Sequence, residues 1–394
     1  MVPLRTCASV FRRSLHPVED GNVTSKERIL LALHREKPDR LPVSVHQWQG
    51  YHLQTYMGGI TEIEAFAATG MDAQIQYFQS MGQFWLVDAD FSKTSTPQWR
   101  DDVQVLSNDP DHRKARHVIT TPEGILTYET EGDRKTTWIS KYLIEHDEDI
   151  ELIQKYMPVA TFDRAPVARL YEELGDRGII RGFVWGDQAG CWQHACCLED
   201  VNKLILACFD KPDWVHRLLR SLLEKKLQFI AGLKGARFDL IETGGGAASS
   251  TVISPDLHRE FCLPYDRALH DALHDLGFLV AYHTCGGTRG IEQLIVENGC
   301  DVSETLAPRS IGGNQEPWEF AEKVRKRVAL IGGMDQYNCL TTGTPQSIRQ
   351  HVHTLFERVG RNGGYVLSTA DHFFDTPVEN LNAYAAAARE CTYG

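Results

Sequence analysis

Residues 278–288 read FLVAYHTCGGT. The first five are apolar or aromatic, as suits a strand buried on both faces of a sheet. A histidine and a cysteine follow, separated by one threonine, and Gly286-Gly287 lets the backbone turn away sharply. A short apolar run that stops at a polar pair and a glycine turn marks the carboxyl end of a parallel strand. The stretch therefore predicts a strand over Phe278–Tyr282, with His283 and Cys285 where that strand stops.

Outward from this point the pattern recurs. Short β-branched or apolar runs occur at Leu41–Val45, Asp72–Tyr77, Ile179–Val184, Phe238–Glu242, Asp301–Thr305, Val328–Ile331 and Gly364–Leu367, with longer helical patterns between them. Eight strands alternating with helices predict an α/β protein with a closed (β/α)8 TIM barrel rather than an open sheet. Helix starts are marked by Thr24 three residues before Glu27, a capping box for a helix through Leu33, and by Ser254-Pro255, Thr344-Pro345 and Thr376-Pro377. A second capping box is expected from Thr376 and Glu379. Residues Pro212–Leu233 carry Val215, Leu218, Leu219, Leu222 and Leu223 at helical spacing, an apolar stripe facing the barrel.

One stretch breaks the alternation. HVITTPEGILTYET (117–130) reads as a hairpin turning at Pro122-Glu123-Gly124, so a small β-rich insertion of about residues 84–155 is placed after the second strand. The expected organisation is a flexible extension over residues 1–24 and a single barrel over 25–394. The extension carries Arg5, Arg12 and Arg13 with no acid before Glu19. That composition suits an organelle-targeting segment, a flexible tail or a misplaced start codon.

The 394 residues carry 41 Lys+Arg against 53 Asp+Glu, a formal charge of −12. Basic runs are missing from the body of the chain, which argues against a nucleic-acid partner. No apolar run approaches the roughly 18 residues a membrane span requires. The ten cysteines are scattered singly, mostly within apolar segments, and read as reduced thiols. A cytoplasmic address follows as the expectation. Oligomeric state is left open, a homodimer included.

In a barrel of this class the active site forms at the carboxyl ends of the strands. The residues found there are His46 and Gln47, Tyr77, Trp185 and Asp187, Glu242, His283 and Cys285, Glu304, Asp335, and Asp371 with His372. His46, Tyr77, Trp185 and Glu304 are candidate substrate-binding residues, and Asp187 and Asp335 candidate proton-handling catalytic residues. Each has a plain structural alternative: Asp335 as a turn cap, Glu242 as an acceptor for the Gly244-Gly245-Gly246 loop, His46 and Trp185 as wall residues. His283 and Cys285 supply the N and S donors that suit Zn²⁺. A catalytic zinc takes three protein ligands and keeps one open position, so the candidate metal set is His283 and Cys285 with Glu242 or His372. A Cys285 nucleophile with His283 as base lacks the usual surrounding motifs. The glycine triplet has neither the Walker lysine nor dinucleotide spacing.

These stretches resemble the uroporphyrinogen decarboxylase superfamily, which includes zinc-dependent corrinoid methyltransferases. The matching segments are KERILLAL (26–33), ISPDLHREFCLPY (253–265), HTCG (283–286), GMD (333–335), GTP (343–345) and TPVEN (376–380). The decarboxylase branch carries an arginine-bearing loop after the first strand that grips substrate carboxylates, whereas SVHQWQGY (44–51) has no arginine. The methyltransferase branch carries the His-x-Cys-Gly pair seen at 283–286. The resemblance implies a methyltransferase that moves a methyl group between a small-molecule donor or acceptor and a corrinoid (methylcobalamin), free or on a corrinoid protein, with Zn²⁺ as cofactor. The branch's third ligand is a cysteine before the final helix, where STADHFFD (368–375) has none. Asp371, His372 or Glu242 is left for that role. The alternative is a metal-independent lyase acting on a carboxylated substrate. A barrel that only binds or handles a corrinoid partner is disfavoured, because a mouth so rich in ionisable groups points to chemistry.

Overall fold

The computed structural model describes residues 23–77, 96–185 and 190–394. Seven strands form one parallel sheet: β1 (Ala73–Gln76), β6 (Gly178–Phe183), β7 (Leu240–Gly244), β8 (Val280–His283), β9 (Val302–Thr305), β10 (Ala329–Met334) and β11 (Tyr365–Thr369), neighbours in that order. A separate antiparallel sheet contains β2 (Arg100–Asp109), β3 (His112–Thr120), β4 (Ile125–Gly132) and β5 (Thr137–Lys141).

The first expected strand, Leu41–Val45, is not a regular strand. It makes a single parallel bridge, Val43 to Leu367. Pro42 has no N–H to donate, which interrupts a ladder. Its carbonyl accepts from Leu367 N, Ser44 N donates to Leu367 O, and Val43 O accepts from Asp72 N. The segment is thus hydrogen-bonded to β11 on one side and to the residue preceding β1 on the other.

Side chains alternate across each strand. One set, Ile179, Leu240, Ala281, Val302, Ala329, Ile331 and Val366, forms an apolar cluster with Ile29, Ala32 and Leu33 of the helix Ser25–Leu33. That helix starts with the expected capping box between Thr24 and Glu27, and it seals one end of the sheet interior. The opposite set packs under the outer helices. The helix Pro212–Gly232 buries Val215, Leu218, Leu219 and Leu222, the stripe read from sequence.

The 117–130 hairpin is present, with Thr120 paired to Ile125 and Thr121 Oγ1 accepting from Gly124 N. Trp99, Ile119, Leu126 and Tyr128 of this region join the apolar cluster that also holds Val215 and Leu218. The second expected capping box does not form: the last helix, Val378–Arg389, has no side-chain cap. The Thr376 hydroxyl instead meets Thr341 Oγ1 at 2.6 Å.

Candidate functional site

Two residues above the apolar cluster, the inner face of the sheet becomes charged. Arg181 on β6, Glu242 on β7, His283 on β8 and Glu304 on β9 are each at most 1% exposed. His283 and Glu304 face each other directly in the β8–β9 register. His283 Nδ1 lies 2.9 Å from Glu304 Oε1 and 3.2 Å from Glu242 Oε1. The second oxygen of each carboxylate accepts from one nitrogen of Arg181, Nη2, at 2.5 Å in both cases.

The charges shift one another. Burial pushes the Glu242 carboxyl up, and the nearby Glu304 charge pushes it further, to about 7. Burial also acts on Glu304, but Arg181, His283 and His46 outweigh it and hold that carboxyl well below the carboxylate range. Burial lowers His283, yet Cys285 and the two carboxylates raise it far above the usual imidazole value.

His46 stands beside this group, its ring 5.3 Å from that of His283 and 5.0 Å from that of His372. Its backbone is held by Thr369 Oγ1, which accepts from His46 N, and by Gln76 Nε2, which donates to His46 O. Burial pushes the His46 pKa down to about 3, so the ring is neutral. His372 Nδ1 is 2.7 Å from Gln49 Nε2. Its pKa is also lowered, by burial first, and Asp371 is held below its usual range by His372 and His46 against the effect of burial.

Ligand atoms of His46, His283 and Glu304 lie within 4.8 Å of one another, as do those of His46, Asp371 and His372. His46 belongs to both sets. Cys285 is half-buried, with Sγ against Gly246: a Cβ there would sit 2.6 Å from the sulfur.

Other candidates from sequence lie elsewhere. The ring of Tyr77 packs against Phe162 and Phe238 at 6.5 and 6.0 Å. Trp185 is buried in the second apolar core, edge-on to His194 at 5.5 Å. Asp335 caps the turn Gln336–Thr341, accepting from Tyr337 N and Asn338 N through one oxygen and from Ser310 Oγ and Asn338 Nδ2 through the other. Asp187 lies outside the described residues.

Sequence reading missed two members of this site. Arg181 sits in GIIRGF, where a lone charge between apolar residues was itself the signal, since buried arginines are rare unless paired. Gln49 carried no such signal; only the fold brings it to His372, 323 residues away.

A parallel α/β sheet that gathers buried carboxylates, imidazoles and a thiol at its carboxyl edge is an enzyme-like site, in a fold consistent with the TIM-barrel class. Residues 128–391 match the uroporphyrinogen decarboxylase (URO-D) family. The chain belongs to that family, whose members include decarboxylases and methyltransferases.

A uroporphyrinogen decarboxylase of Pseudoalteromonas translucida is 27% identical over 198 residues, 48% of this chain and 52% of that protein. The match thus spans about half the length of that relative. A uroporphyrinogen decarboxylase of Xanthomonas campestris pv. campestris is 24% identical over 378 residues, 89% of this chain and 91% of that protein. A methylated-thiol–coenzyme M methyltransferase of Methanosarcina mazei is 26% identical over 145 residues, 36% of each chain. Among solved structures, a methyltransferase from Methanosarcina mazei superposes with a TM-score of 0.65 at 18% identity, covering 94% of this chain and 99% of that one. That likeness supports the fold. Among the described residues no helix is long and apolar enough to cross a membrane.

Proposed function

We propose that this chain is a zinc-dependent methyltransferase that moves a methyl group between a small substrate and a corrinoid cofactor or corrinoid-carrying protein. The observation that carries this reading is that His283, held at Nδ1 by Glu304 and Glu242 and followed two residues on by Cys285, stands next to His46, whose ligand atom lies within 4.8 Å of those of Asp371 and His372. The donor set fits the metal. Imidazole, thiolate and carboxylate are the ligands Zn²⁺ takes; burial keeps His46 neutral, whereas His283, whose pKa is raised, would give up a proton on binding the ion.

In this reading His283 and Cys285 hold the ion, and the third ligand comes from the His46, Asp371 and His372 group. Nδ1 of His283 is already engaged by Glu304 and Glu242. Its Nε2 is therefore the ligating atom, and the two carboxylates orient the ring, as partners of metal-bound histidines commonly do. Glu242 thereby becomes an orienting residue instead of a ligand. What zinc supplies at such a site is a lowered pKa for a bound thiol.

The rest of the work falls to the chain. The apolar cluster under the site excludes water, and Gln49 fixes the ring of His372 at the rim. Val252 and Tyr337, exposed beyond β7 and β10, offer apolar contact to an incoming corrinoid. The reading also takes residues 41–45 as an eighth stave that closes the sheet between β11 and β1.

The second reading, a metal-independent lyase, draws on the similarity to the Xanthomonas decarboxylase over 91% of its length. Against it stands the pairing of Arg181 with two glutamates, which commits that interior cation within the chain. Metal analysis of the purified protein, with a visible-spectrum titration of methylcobalamin against thiol acceptors, separates the two. About one zinc per chain, lost in Cys285→Ala, supports methyl transfer. Protein that stays metal-free in added zinc, or that releases carbon dioxide from a carboxylated substrate without metal, overturns it.

A further inference from the structure

Arg181 is fully buried, and its guanidinium makes an unusual choice of partners. A single nitrogen, Nη2, serves both Glu242 and Glu304, while Nε and Nη1 have no hydrogen-bond partner among the described residues. Arginine usually meets a carboxylate through two parallel N–H bonds, which satisfies more donors. A residue that leaves two buried donors unpaired is poorly explained as a stability device.

The geometry on the far side of the glutamates supplies a reason. Each carboxylate has one oxygen on Arg181 and the other on His283 Nδ1. The four side chains close a ring in which neither carboxylate can rotate without breaking a charged contact. The ring joins positions distant in sequence, since Arg181 and Glu304 are 123 residues apart.

We infer that Arg181 is a positioning residue for His283, acting through Glu242 and Glu304. It keeps the two carboxylates pointed at one imidazole N–H, which holds the proton on Nδ1 and sets the ring's orientation. Arg181 touches no reacting atom. The inference rests on the methyltransferase reading only for what His283 then binds.

The test therefore begins without metal. Histidine labelled with ¹⁵N reports the tautomer and N–H exchange of His283, assigned by its loss in His283→Gln. The wild-type protein should show a protonated, slowly exchanging Nδ1. Arg181→Met should lose that slow exchange, and Arg181→Lys should recover part of it. Should Arg181→Met fold poorly, Arg181→Met with Glu242→Gln, which removes one charge of each sign, serves in its place and should still show a disordered ring.

A Co²⁺ titration then follows the visible ligand-field bands. Weakening of roughly 10- to 100-fold in Arg181→Met, with altered bands and partial rescue in Arg181→Lys, is the expected result. An unchanged His283 signal in a folded Arg181→Met protein overturns the inference. If the wild-type protein shows the expected Nδ1 signal but binds neither Co²⁺ nor Zn²⁺, the positioning role stands and the zinc reading falls.

Discussion

Two layers of the same sheet interior, two residues apart on the same strands, have opposite chemistry. Leu240, Ala281 and Val302 point into the apolar cluster with Ile29 and Leu33, whereas Glu242, His283 and Glu304 point the same way one step on, and the two glutamates there meet both His283 and Arg181. The lower layer gains free energy by removing apolar surface from water, at about 25 cal/mol per Å². The upper layer removes charges from water, which is unfavourable unless each is closely paired.

The contrast is testable from both sides. The largest effect should follow His283→Ala, which should abolish stoichiometric zinc binding while thermal unfolding stays cooperative. A variant that retains full metal content would break the assignment of the upper layer. Leu240→Ala should do the reverse, lowering unfolding free energy by about 2 to 5 kcal/mol in a denaturant titration with zinc stoichiometry unchanged. Loss of metal before loss of fold in that variant would mean the two layers are not separable.

Glu304→Gln should weaken metal binding by roughly 10- to 100-fold. Glu242→Gln should cost less, because Glu304 lies nearer His283 Nδ1, at 2.9 against 3.2 Å. Equal losses would show that the carboxylates share the role evenly.

A buried acid away from the site sharpens the comparison. Burial pushes Asp266 up to about 7, against its contacts with Tyr282 and Lys226, while its unfolded value is near 3.9. The folded protein thus binds the extra proton between these values. This group's contribution is complete below about pH 4 and is lost as pH rises through about 7. Asp266→Asn keeps an acceptor for the Tyr282 hydroxyl, which donates at 2.9 Å, and cannot ionise. Its unfolding free energy should fall less steeply than wild type from pH 4 to 8, by about 4 kcal/mol over that window. Parallel pH profiles would refute the assignment.

The smallest effect belongs to the surface. Lys135, between β4 and β5, pairs with Asp375 at 2.5 Å, and Tyr51 and Tyr56 donate to the same carboxylate. Exposed pairs contribute about 0 to 1 kcal/mol. Lys135→Ala should therefore move the unfolding midpoint little; a larger shift would mean the antiparallel sheet depends on this contact with the segment after β11.

Much of the fold was legible because burial writes itself into local patterns. FLVAY predicts β8 within two residues of its observed start, Val280, since an apolar run and a glycine turn leave few alternatives. Leu41–Val45 looked similar but contains Pro42, and a missing N–H outweighed the apolar character. Thr376 offered a capping hydroxyl, yet Thr341 took it, a competition decided by neighbours 35 residues apart.

The site divides in the same way. From sequence alone came the strand ends, the His-x-Cys pair, and the candidates His46, Glu242, Glu304 and His372, because period-two alternation and glycine turns are local properties. Only tertiary structure could decide that His46 lies between His283 and His372, that both glutamates share one imidazole, and that Arg181 closes the ring. Those contacts join separate strands, and their distances follow from how the sheet brings its staves side by side, which no local pattern encodes.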